Sequence, residues 1–189
     1  LFKLKNVCSF VHIPLQSGSR KILKLMERKY SKEEFLEKVE KIREIKKDIF
    51  LSTDLILGFP SEDEEDYLET VDFIKKINFS YIHLFGFSPR SGTKAFDMKQ
   101  KVPERIRDER VKNISNIVKV ANLNYRKKFI GTNLETIIER KKSYFYSGKT
   151  DNYIDLKIIT DKELESKKKY NIYFDFINEK GENIGIIRA

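Results

Sequence analysis

Apolar residues fall along the first two thirds of the chain in two alternating rhythms. Runs at residues 10–15, 49–57 and 81–87 are apolar almost throughout, which predicts strands covered on both faces. Between them the spacing changes to three and four. Phe35, Leu36, Val39 and Ile42 share one helical face after Ser31, and Tyr67, Leu68, Val71 and Ile74 share another after Ser61. Each start pairs a serine with a glutamate three residues on, Ser31 with Glu34 and Ser61 with Glu64. In such a box, hydroxyl and carboxylate each satisfy an orphan backbone N–H. A third helix is predicted from near Pro103, with Ile114, Ile117, Val118, Ala121, Tyr125 and Phe129 on one stripe.

Strands alternating with helices predict parallel pairing, because a crossover helix returns the chain to the same end of a sheet. Three such units leave an inner face and an edge bare. The expectation is that further βα units upstream of Leu1 complete a barrel-like sheet. After Gly131 the rhythm shortens. Five β-rich runs, at 134–139, 144–146, 153–159, 170–177 and 184–188, are separated by turns such as Ser147–Gly148 and predict a small closed, OB-like barrel. That barrel suits an oligonucleotide on one face, or a structural docking role. The expected fold class is therefore α/β: a partial parallel (β/α) barrel over 1–130, then a β-barrel over 131–189.

Charge narrows the partners. The chain carries a net +9, with 13 basic against 7 acidic groups in residues 1–50 and 8 against 3 in residues 104–130, while 51–103 reverses the balance. This concentration favours a polyanion, and the basic runs Arg126, Lys127, Lys128 and Arg140, Lys141, Lys142 are the candidate nucleic-acid contacts. No apolar run approaches the roughly 20 residues of a membrane span. The single cysteine, Cys8, fits a reducing cytoplasm and cannot by itself build a disulfide framework or an iron–sulfur site.

In parallel α/β sheets, ligands sit beyond the carboxyl ends of the strands. Here those ends read Gln16-Ser17-Gly18-Ser19, Gly58-Phe59-Pro60-Ser61-Glu62 and Ser88-Pro89-Arg90-Ser91-Gly92-Thr93, all polar and all containing glycine. Asp54 lies within an apolar strand, where an unpaired carboxylate is costly. It needs a partner, either Arg28 or Arg90 in a structural pair or a polar group of a ligand. Phe85 and Phe87 end the third strand and offer rings for stacking or for the core. His12 and His83 have no cysteine or carboxylate at ligand spacing, and Cys8 reads as a small buried or half-buried residue.

Three blocks carry a resemblance. They are Val11-His12-Ile13-Pro14-Leu15-Gln16-Ser17-Gly18-Ser19 with Leu25-Met26-Glu27-Arg28-Lys29-Tyr30, Ser52-Thr53-Asp54-Leu55-Ile56-Leu57-Gly58-Phe59-Pro60, and Phe87-Ser88-Pro89-Arg90-Ser91-Gly92-Thr93. In order and spacing the chain resembles the second half of the radical S-adenosylmethionine methylthiotransferases, with the TRAM domain that follows. The resemblance implies that S-adenosylmethionine lies across the strand tips. Gln16 and Ser17 would line its ribose, Arg28 and Asp54 its polar groups, and Ile56 and Phe85 its adenine. It further implies two 4Fe–4S clusters, one held by three upstream cysteines and one in a separate N-terminal domain. The implied partner is tRNA, the sulfur donor stays open, and this chain alone would be inactive. Cys8 and His83-Leu84-Phe85 look most similar to the branch acting on N6-threonylcarbamoyladenosine, with the isopentenyladenosine and ribosomal-protein aspartate branches as alternatives. The departures are the missing Cys-x-x-x-Cys-x-x-Cys run, Ser61 in place of glycine, Asp63 in place of threonine and Phe87 in place of tyrosine. Serine tolerates positive φ poorly, so Ser61 bears on the shape of that loop. Two further readings compete, an RNA-binding module without catalysis and a non-redox barrel enzyme using Asp54 and Arg90.

Overall fold

A computed structural model describes residues 7–188. It divides into two compact units, Val11–Asn122 and Leu123 onward together with the segment ending at Phe10. Elements follow in the order β1 (Phe10–His12), α1 (Arg20–Leu25), α2 (Lys32–Ile45), β2 (Phe50–Leu57), α3 (Glu64–Ile77), β3 (Tyr81–Gly86), α4 (Lys94–Asp97) and α5 (Glu104–Lys127). The strands form one sheet in the order β1-β2-β3, with β2 and β3 parallel and in register from Ser52↔Tyr81 to Leu57↔Gly86. β1 is shorter than the apolar run 10–15 predicts. Pro14 has no N–H for the ladder and Gln16 takes φ 67°. Ile13 N–H still donates to Ser52 O at 3.0 Å, and pairing resumes at Gln16, whose N–H donates to Asp54 O at 2.9 Å and whose carbonyl accepts from Ile56 N–H at 2.9 Å.

One side of the sheet holds the core. Leu15, Leu51, Leu55 and Leu57 are fully buried against Phe35 and Val39 of α2, Val71, Ile74 and Ile77 of α3, and Ile114 and Val118 of α5. Burial of each such side chain contributes about 2 kcal/mol. The opposite side differs from the prediction of strands covered on both faces. In β3, Ile82 is buried while Tyr81, His83 and Phe85 are exposed, an alternation that aromatic content alone conceals.

The α2 start matches its predicted box: Glu34 N–H donates to Ser31 Oγ at 3.1 Å, and Ser31 N–H to the Glu34 carboxylate at 2.8 Å. The second box is displaced. Asp63, not Ser61, caps α3, accepting from Asp66 N–H at 2.9 Å while Asp66 accepts from Asp63 N–H at 3.1 Å. Ser61 takes φ 68°, and an N-cap residue needs extended backbone. The short α1 and α4 carry too few apolar positions to show in the spacing.

In the second unit, β4 (Asn133–Lys142), β5 (Phe145–Thr150), β6 (Asp155–Ile159), β7 (Lys169–Ile177) and β8 (Asn183–Ile186) close a five-stranded barrel in the order β4-β5-β6-β8-β7. Ile138, Leu156, Ile158, Ile172 and Phe174 fill it. Gly148, expected in a turn, lies within β5. A Cβ there would meet Thr136 Cγ2 at 2.7 Å, so close strand approach accounts for the glycine.

Candidate cofactor face and basic surfaces

Strand alternation puts Thr53, Leu55 and Leu57 into the core and turns Asp54 and Ile56 to the open face of the sheet. The parallel register sets His83 beside Asp54 and Phe85 beside Ile56. His12 of β1 completes the row. Its Nδ1 lies 2.9 Å from Ser52 Oγ and its Nε2 3.3 Å from Asp54 Oδ2. Neither Arg28 nor Arg90 is the partner of Asp54; of the two alternatives the sequence offers, the arginine pair gives way to a histidine contact across adjacent strands. Sequence spacing hides that contact because the two residues are 42 positions apart. His12 and His83 rings lie 5.6 Å apart, and Tyr81 and His83 rings 4.8 Å. Among the described residues no group of three or more His, Cys, Asp or Glu side chains could hold a metal ion. The open face thus combines one carboxylate, an apolar Ile56 and a Phe85 ring that is 51% exposed. Such a set fits an adenosine-like ligand, with the carboxylate for a hydroxyl or ammonium group and the ring for a base.

The strand ends are braced by the helices around them. The first turns through Gln16, which is almost wholly buried, and Ser17, whose hydroxyl accepts from Ser19 N–H at 3.2 Å and sits 3.5 Å from Thr70 Oγ1. The Ser17 side chain thus contacts both its own loop and α3. The second end is braced from beneath. Gly58 N–H donates to Glu62 Oε1 at 2.9 Å, and the same carboxylate meets Arg110 at 2.7 Å. Burial pushes the Glu62 carboxyl above its ordinary value, against the pull of the Gly58 N–H and the Arg110 guanidinium. Arg110 also reaches Glu64 at 3.0 Å and stacks 5.0 Å over Tyr67. Gly58 takes φ +74°, and a Cβ there would lie 2.6 Å from Arg107 Cγ, so this loop admits only glycine. Beyond the third end, Lys94 of α4 forms an exposed ion pair with Glu27 after α1. Phe87 packs edge-on against Phe59, with ring centroids 5.2 Å apart, and belongs to the packing. Arg28, on the turn between α1 and α2, is exposed and lines a cavity with Arg20 and Lys24.

The Glu62–Arg110 brace was not anticipated. Its only trace in the sequence is a glutamate four residues after Gly58. Cys8 is exposed rather than buried, because it precedes the ladder of β1.

The basic runs divide. Arg126 is half-buried and donates to Asn183 Oδ1 at 2.6 Å and Gly181 O at 2.9 Å. Lys127 and Lys128 are exposed, the latter 5.9 Å over the Tyr125 ring. On the barrel, Arg140, Lys141 and Lys142 lie on the exposed part of β4. Lys141 meets Glu163 at 3.2 Å, and Lys142 sits 5.6 Å over Phe145. Beside them Tyr144 is 69% exposed, the most open aromatic ring among the large exposed side chains. No helix among the described residues is long and apolar enough to cross a membrane.

The chain is similar to known proteins in sequence and in fold. Residues 1–74 match the family described as the radical SAM superfamily. The chain is 43% identical over 147 residues to tRNA-2-methylthio-N(6)-dimethylallyladenosine synthase of Aquifex aeolicus, covering 78% of the chain and 33% of that protein. It is 36% identical over 177 residues to the protein of the same name from Caldicellulosiruptor saccharolyticus, covering 94% of the chain and 36% of the relative. Coproporphyrinogen III oxidase (HemN) from Escherichia coli, a radical SAM enzyme, shares the fold at a TM-score of 0.52 with 15% identity, over 60% of this chain and 27% of that one. The chain therefore spans about a third of the curated relatives it matches. It carries a radical SAM sequence pattern in its first 74 residues and resembles tRNA methylthio-modifying enzymes over most of its length.

Proposed function

We propose that the chain is part of a tRNA methylthiotransferase that adds a methylthio group to an isopentenyl-type adenosine by radical S-adenosylmethionine chemistry. The observation that carries the reading is the open sheet face, where Asp54, Ile56 and Phe85 stand together. The names of the relatives favour the dimethylallyladenosine branch. The threonylcarbamoyladenosine branch suggested by Cys8 and residues 83–85 is set aside, since neither of those two relatives carries that name.

S-adenosylmethionine, when bound, supplies the radical chemistry. In this reading, Asp54 receives a hydroxyl or ammonium group of the cofactor, held in place by His12. Ile56 and Phe85 flank its base, and Gln16 and Arg28 border it at the first strand end. The protein's contribution is orientation and exclusion of water. Iron–sulfur clusters do not fit this chain's own donor set, which has one cysteine where cluster binding takes several thiolates. The barrel would be the TRAM domain, holding tRNA through Arg140, Lys141 and Lys142 with Lys127 and Lys128.

Mass spectrometry of tRNA nucleosides from cells with and without the gene tests the proposal. Loss of the methylthio-isopentenyl nucleoside on deletion supports it. Loss of the methylthio-threonylcarbamoyl nucleoside instead overturns the branch, and an unchanged nucleoside pool overturns the activity.

A further inference from the structure

The corner between α1 and α2 has a feature of which the cofactor reading uses Arg28 alone. A cavity of ≈ 400 Å³ lies there, lined by five cationic side chains: Arg20, Lys24, Arg28, Lys29 and Lys32. The one carboxylate in its lining, Glu34, is spent on the capping box of α2. Two of the cations are balanced, Arg20 by Glu33 at 2.5 Å and Lys32 by Glu69. Lys24, Arg28 and Lys29 make no ion pair among the described residues. Like charges gathered at one opening repel, and an anion between them removes that cost.

The wall is fixed rather than loose. Tyr30 Oη shares its one hydrogen between Pro14 O at 3.0 Å and Leu15 O at 2.9 Å, and Arg28 N–H donates to Leu23 O at 3.0 Å. The helix N-terminus adds little, since Ser31 and Glu34 already occupy the first N–H groups of α2. Attraction for an anion therefore rests on the side chains.

We propose that this cavity takes a phosphate group of the tRNA backbone, making α1 and the turn after it a second RNA-binding element besides the barrel. The inference rests on the tRNA reading above. Exposed Lys24 and Lys29 supply mobile charges that reach phosphates at the opening, while Arg28 beside them stays with the cofactor. A single small carboxylate would leave most of the cavity and two of its three free cations unmatched.

The test uses the whole protein carrying this chain and unmodified tRNA, with affinity measured between 50 and 200 mM salt. Arg28 is left intact, because it also borders the proposed cofactor. The K24E/K29E variant is expected to weaken binding by about tenfold and to flatten the log–log salt slope by about 2, one for each phosphate no longer neutralised. K24R/K29R should bind as wild type does, and thermal melting should stay unchanged in both, since the two lysines are exposed. Wild-type affinity and slope in K24E/K29E, with binding weakened in K141E/K142E, overturn the cavity and leave the tRNA reading standing. A wild-type protein that holds no tRNA overturns the reading and the cavity together. Charge-dependent binding to phosphatidylserine vesicles without tRNA binding replaces RNA by a lipid surface and overturns the inference as well.

Discussion

Asp54 and His12 face each other across β1 and β2 at 3.3 Å, on the side of the sheet away from the core. With Ser52 Oγ 2.9 Å from the other ring nitrogen, a neutral imidazole protonated on Nε2 serves both neighbours, donating to the carboxylate and accepting from the hydroxyl. One Asp54 oxygen is thereby oriented and the other is left for a ligand. Asp54→Ala in the whole protein should weaken S-adenosylmethionine binding by about tenfold, the loss of one charge-assisted hydrogen bond. Calorimetric titration measures this, with iron content as the control. Unchanged affinity would mean that Asp54 serves His12 alone.

Ser61 sits in the left-handed region at φ 68°, where its N–H donates to Gln100 O at 2.6 Å. A side chain there costs about 1–2 kcal/mol, which glycine avoids, while glycine gains freedom in the unfolded chain. Ser61→Gly is therefore expected to stabilise by up to about 1 kcal/mol in urea unfolding. A destabilised variant would show that the serine side chain contributes to the loop.

Arg110 and Glu62 form a buried ion pair under the second strand end. Removing one partner strands the other in the interior, so Arg110→Met should cost about 3 kcal/mol. Adding Glu62→Gln should recover part of that loss, because the uncompensated charge disappears. Additive losses in the double variant would contradict the coupling.

Lys21 holds the Asp63 carboxyl down to about 2 from its ordinary 3.8, with the Asp66 N–H helping. A carboxyl depressed on folding stabilises above its unfolded value and loses that contribution as pH falls through the folded one. The cap of α3 should therefore weaken between about pH 4 and pH 2. The melting difference between wild type and Asp63→Ala should be full at neutral pH and smallest near pH 2. Because the pair is exposed, the part owed to Lys21 should shrink with salt. A difference independent of pH would assign the cap to shape alone.

Three strands, three long helices and a five-stranded barrel were legible because their apolar residues repeat at the period of the element. Ser31 and Glu34 marked α2 because a capping box is local. What escaped the sequence depends on contacts between distant segments. The His12–Asp54 pair joins two strands, the Glu62–Arg110 brace joins a loop to α5, and the cavity at the α1–α2 corner needs a turn whose course no spacing reveals. Ser61 misled for a related reason, since a serine three residues before a glutamate signals a cap only if its backbone is extended. Asp54, Ile56 and Phe85 were named from resemblance, and their common face follows from alternation and from the Ile56↔Phe85 register.

The most direct test of the account is complementation of the deleted gene, read as methylthio-isopentenyladenosine in tRNA. The wild-type gene should restore the nucleoside in full, and the Asp54→Ala gene, expressed to the same level, should restore only part of it, down to about a tenth where the cofactor is scarce, in line with the expected loss of cofactor affinity. Full restoration by Asp54→Ala would contradict the claim that this sheet face binds the cofactor.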